Sequence, residues 1–99
     1  MGLRSDLQEL LQTIAPNVYF QPPPTMVMSY PCIVYQRDDI LDQHADDQPY
    51  HSRKRYQVTV IAQDPDSAIV DAVKRLPLST YNRFFTAHNL NHDVFQLFF

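Results

Sequence analysis

Apolar residues along the chain follow two different periods, and the change from one to the other outlines the elements. Leu7, Leu10, Leu11 and Ile14 recur at i, i+3, i+4 and i+7, one apolar stripe that predicts a helix over residues 3–14. Ser5 followed three residues later by Gln8 makes a capping box, and Pro16 stops the helix. Cys32-Ile33-Val34-Tyr35-Gln36 is a short β-rich apolar run that reads as a strand. Residues 55–63 alternate, with Tyr56, Val58, Val60 and Ala62 on one face and Gln57, Thr59, Ile61 and Gln63 on the other. A second helix is predicted over about 65–76, with Asp64 as N-cap, Pro65 at its first position, Ala68, Ile69, Ala72, Val73 and Leu76 as its buried stripe, and Pro77 ending it. Residues 79–88 and 92–99 read as a terminal hairpin around Asn89-Leu90-Asn91. Its last run, Val94-Phe95-Gln96-Leu97-Phe98-Phe99, is apolar on both faces, which suits a central strand or an interface.

Two stretches carry no period. Residues 15–31, with Pro22, Pro23 and Pro24 in succession, read as a stiff polyproline connector. Residues 38–53 start acidic (Asp38, Asp39, Asp42, Asp46, Asp47) and end basic (Arg53, Lys54, with Arg55 following), and read as a long loop or the splayed tip of a hairpin. The expected order is α-β-β-α-β-β: a single α+β domain over 1–99, a mostly antiparallel sheet with two helices packed on one face. Its core is expected to use Leu7, Leu10, Leu11, Val34, Tyr56, Val58, Val60, Ile69, Val73 and Phe95.

At 99 residues, a chain of this composition can bury one small core, and a margin that thin invites stabilisation by assembly. The net charge of −3 argues against a general electrostatic nucleic-acid binder. Arg53-Lys54-Arg55 beside Tyr50 and Tyr56 is the one basic-aromatic cluster, and the acidic run upstream favours its pairing with protein. A single cysteine, Cys32, excludes an internal disulfide. The apolar runs fall far short of the roughly 20 residues that span a bilayer, so a soluble, cytosolically made protein is expected.

No catalytic pattern stands out. The sole glycine is Gly2, which excludes a glycine-rich phosphate loop. His88 and His92 have the HxxxH spacing of a zinc helix but flank a predicted turn, and the aspartates of 38–47 lack the glycine and distal glutamate of a calcium loop. Cys32 opens an apolar strand, where a thiol behaves as a small hydrophobe. No enzyme, cofactor or metal role is expected.

In their order, these signals resemble those of the tail-completion proteins of tailed bacteriophages, the tail-terminator or head–tail joining class. The residues that carry the likeness are Tyr30-Pro31-Cys32-Ile33-Val34-Tyr35, then Arg55-Tyr56-Gln57-Val58-Thr59-Val60, then the capped helix from Asp64 to Leu76, and the aromatic closing strand from Asp93 to Phe99. The resemblance spans nearly the whole chain, which differs in its scarcity of glycine and its triple proline. It implies a virion protein assembled in the bacterial cytoplasm. Such a protein forms a ring, usually hexameric, on the end of the tail tube, stops its polymerisation and joins it to the head connector, while DNA passes through the lumen without specific binding. The contacts expected within such a ring are Asp38, Asp39, Asp42, Asp46, Asp47, Arg53, Lys54, Arg55, Phe98 and Phe99. The competing expectation is a small non-enzymatic adaptor that acts by β-strand addition.

Overall fold

A computed structural model of the chain describes residues 4–23, 25–45, 48–64 and 66–99; for 38–45 and 48–53 the description is of the backbone. The sheet is organised around one antiparallel pair, β2 (Cys32–Ala45) and β3 (Gln48–Ala62). To one side of β2 lies the short strand β1 (Val18–Phe20), and to the other side of β3 lies β5 (Leu90–Phe98), itself flanked by β4 (Ser79–Ala87). The spatial order is β1-β2-β3-β5-β4, antiparallel except for β1, which runs parallel to β2. Helix α1 (Arg4–Gln12) precedes β1, and helix α2 (Ala68–Lys74) lies between β3 and β4. The chain is thus an α+β domain with a mostly antiparallel sheet.

Register explains the core. Ile33 sits opposite Val60, Tyr35 opposite Val58, Phe95 opposite Val58 and Leu97 opposite Tyr56, so these residues share one sheet face. They form one cluster with Leu7 and Leu11 of α1 and Ile69 and Val73 of α2, which puts both helices on that face. Tyr56, Val58, Val60 and Ala62 are all buried, in agreement with the alternation of this strand. Leu10 packs partly buried at the cluster's margin. Val34 leaves the expected core list. It pairs with Thr59 on the opposite face and is half-buried there, while its neighbours Ile33 and Tyr35 face the helices. A run apolar at successive positions does not reveal its own phase.

The proline-bearing connector contains a strand the sequence did not announce. Val18, Tyr19 and Phe20 pair with Ile33, Val34 and Tyr35, and the ladder is extended by Ile33 N–H to the Asn17 carbonyl and Gln21 N–H to the Tyr35 carbonyl, both 2.9 Å. Three residues are too few to display a period, and the prolines on either side suit an edge strand.

The expected loop over 38–53 is also corrected: its backbone is the hairpin alternative. β2 runs on to Ala45 and β3 starts at Gln48, with Asp39 opposite Arg55, Ile40 opposite Lys54 and Leu41 opposite Arg53. Beyond Arg55, which also pairs with Phe98, β3 has β2 as its sheet neighbour and no other, so the two strands form a ribbon that leaves the core.

Helix α2 is shorter than expected. Ser67 is its N-cap, its hydroxyl accepting from Ile69 N–H at 3.3 Å, while Asp64 accepts from Asp66 N–H at 2.9 Å in a turn before the helix. Pro65 lies outside the described residues. Two capping residues compete here, and the asparagine-type turn at Asp64 takes the earlier one out of the helix.

The terminal hairpin turns at His88-Asn89, one residue earlier than expected, with φ of 53° and 61°. Positive φ at both central residues is the signature of a type I′ turn, which favours Asn-Gly and fits His poorly at its first position. Replacing His88→Asn together with Asn89→Gly is expected to stabilise the fold by about 1 kcal/mol and raise the melting temperature by several degrees. A calorimetric scan that shows no increase would refute the turn assignment.

Candidate interaction surfaces

The chemistry-bearing side chains do not converge on a catalytic centre. Cys32 is fully buried on the sheet face away from the helices, and desolvation pushes its thiol up to about 11. His88 sits in the hairpin turn, whereas His92 lies in β5, stacked on Phe85 at 4.6 Å with its Nδ1 3.1 Å from the Leu90 carbonyl. The HxxxH pair therefore straddles a turn. Among the described residues, no three His, Cys, Asp or Glu side chains gather to hold a metal ion. No helix among them is long and apolar enough to cross a membrane.

A raised thiol pKa has a consequence in each state. In the unfolded chain Cys32 ionises near 9.0, in the folded protein near 11, so the fold loses stability as pH climbs through that window and not below it. At mildly alkaline pH, a thiol-specific reagent is expected to label Cys32 at least about a hundred-fold faster in denaturant than in the native protein. Equal rates would place the thiol at the surface.

Three surfaces remain as contact candidates. The first is the β2–β3 arm. The molecule measures 50 × 26 × 23 Å, and the arm accounts for much of the long dimension, since its seven-residue reach at about 3.3 Å per residue gives about 23 Å. Register shifts between Arg37 and Asp39, where the arm leaves the sheet, and between Gln43 and His44 mark β-bulges, which bend and twist a ribbon. Asp38, Asp39 and Asp42 lie on β2; Arg53, Lys54 and Arg55 lie on β3. Asp46 and Asp47 fall outside the described residues. The acidic and basic segments are thus neighbours across one ribbon, with Asp39 directly opposite Arg55. Opposite charges directly across an antiparallel pair contribute about 0.2–1 kcal/mol each.

The second surface is the edge strand β4. The closing strand β5, apolar on both faces, is central, the first of the two alternatives its sequence left open, and the edges of the sheet are β1 and β4. Phe98 N–H bonds the Leu78 carbonyl at 3.2 Å and Phe99 N–H the Lys54 carbonyl at 3.0 Å; both residues are half-buried. On β4, Tyr81, Phe84 and Phe85 are 44%, 49% and 38% exposed. The bulge between Tyr81 and Arg83 puts Tyr81 and Phe84 on the helix face and Arg83 and Phe85 on the other, where the Arg83 guanidinium lies 5.6 Å from the Phe85 ring. Nothing in the alternation of 79–88 marks this strand as the edge; the apolar closing run points the other way.

Tyr81 also ties the edge to the core. Its ring meets Phe95 edge-on at 5.2 Å, and its hydroxyl donates at 3.0 Å to Oδ1 of Asp93, the buried carboxylate of β5. Partial desolvation, then the hydrogen bond and charge of Asp93, raise the phenol above 10.0. This contribution is present below pH about 10 and fades above it, because the unfolded chain ionises first. Tyr81→Phe is expected to cost about 1 kcal/mol at neutral pH, read as a lowered urea midpoint with an unchanged slope. An unchanged midpoint would mean that Asp93 does not depend on this donor.

The third surface is a pocket at the root of the arm, lined by Arg4, Phe20, Gln21, Arg37, Lys54 and Tyr56. It draws residues from α1, β1, β2 and β3, and no sequence spacing could have announced it.

The chain matches no protein-family model, no curated protein and no solved structure.

Proposed function

We propose that this chain is a structural, non-catalytic subunit that assembles as a ring on the end of a tailed-phage tail tube, terminates the tube and joins it to the head connector. The observation that carries this reading is the two-stranded arm, which extends from a small α+β core of the kind the sequence resemblance implies. Ring formation requires two unlike patches on each subunit. The charged arm is one such patch, and the core offers unlike ones, among them the aromatic β4 edge. A net charge of −3 suits a lumen through which DNA slides without adhering. The open β4 edge also favours a second reading, a monomeric adaptor that adds an extended peptide to its sheet.

Incubation of the purified protein with isolated tail tubes separates the two. Electron microscopy is expected to show a ring-shaped cap on one tube end and loss of further elongation. Shortening the arm by joining Leu41 to Arg53 through Asn-Gly, a two-residue connection their pairing allows, is expected to leave a folded domain that no longer caps. Uncapped tubes, together with a persistent monomer by light scattering, would discard the ring.

A further inference from the structure

The pocket at the arm root has a volume of about 340 Å³ and three cationic side chains around an aromatic floor. Arg4 is held in place: its guanidinium lies 4.5 Å over the Phe20 ring, and Nη1 donates to the Tyr35 hydroxyl at 3.5 Å, which in turn donates to Gln8 Oε1. Gln21 is anchored by accepting from Arg37 N–H at 3.4 Å. Tyr56 is buried, Phe20 and Lys54 are half-buried, and Arg4 and Arg37 are exposed. Among the described residues, no carboxylate lines the pocket. A guanidinium stacked on an aromatic ring has lost much of its rotational freedom, and aromatic walls reduce the screening of a bound anion.

The chain itself supplies the complementary charge. Asp38, Asp39 and Asp42 lie on the arm. Register sets Asp39 opposite the cationic Arg55 and Asp42 opposite the neutral Ser52. The pocket's two exposed cations, Arg4 and Arg37, lie on the core side of Lys54, while the protein's own arm leads away from it. We infer that this pocket receives the carboxylates of the acidic arm of a second copy of the chain, with Asp42 as the principal group. This rests on the ring reading and deepens it, since it gives each subunit a donor arm and an acceptor pocket that are different surfaces. A nucleic-acid backbone is the poorer occupant. Its linear charge would run along the aspartates of the same arm.

A charge exchange tests the contact. One variant carries Arg37→Glu and Lys54→Glu; the other carries Asp39→Lys and Asp42→Lys. None of these residues lies in the buried core cluster, and thermal melts check that both variants stay folded. Each variant alone is expected to self-associate at least about ten-fold more weakly than the parent by sedimentation, and the equimolar mixture to recover assembly, because each arm then meets a pocket of opposite sign. Raised salt should weaken the parent and the mixture alike. If the parent forms rings and both variants do so equally well, the pocket inference falls while the ring reading stands. A synthetic peptide of residues 38–45 gives a readout that does not need a ring: titrated into the parent it is expected to bind, and binding is lost in the Arg37→Glu, Lys54→Glu variant. No peptide binding, or tighter binding of a short DNA oligonucleotide at the same residues, would overturn the assignment.

Discussion

The pairing of β2 with β3 is the constraint on which the other features depend. One register places Ile33, Tyr35, Val58 and Val60 on the helix face, and the same two strands, shifted by one residue between Arg37 and Asp39, continue past Arg55 as the arm. A slip of one residue within the sheet would turn every buried side chain of the pair outward. Core and arm are therefore built from one pair of strands, with the irregularity at Arg37 and Asp39 setting which arm residues oppose one another.

The helix face and the opposite face divide the work unequally. On the helix side a single cluster joins both helices to four strands, with α1 against β1 and α2 against β4 and β5. The other face buries Cys32, Ile61 and Val94 without a helix above them. Their neighbours on that face of the sheet include Val34, Thr59 and His92. Tyr81 and Asp93 add a polar tie at the β4 side of the helix face, where the apolar cluster thins toward the edge.

Much of this was legible in the sequence, for identifiable reasons. Helix α1 and the alternation from Tyr56 to Ala62 could be read because each element buries one face and exposes another, which writes a period into the residues. β1 could not, since Val18-Tyr19-Phe20 is shorter than any period. The arm could not, since residues 38–53 carry no alternation of apolar and polar positions from which a strand could be read. The choice between Asp64 and Ser67 as cap turned on a local hydrogen bond, for which both residues are qualified. The Arg4, Arg37 and Lys54 pocket is a product of tertiary structure alone: a helix start, a strand end and an arm root meet there from distant parts of the chain. The closing strand, apolar on both faces, suited a central strand or an interface, and only the pairing with β3 and β4 decides for the first.

That placement of β5 bears on how the protein comes into being. β5 follows every other element in the chain but sits between β3 and β4. Until it has been synthesised, β3 lacks its inner partner, β4 has no neighbour, and the helix-face cluster lacks Phe95 and Leu97. During translation the β2–β3 hairpin can form from contacts close in sequence, but the sheet cannot close around it. Until β5 inserts, the chain keeps an open strand edge, and it becomes a domain in one cooperative step when β5 pairs with β3 and β4.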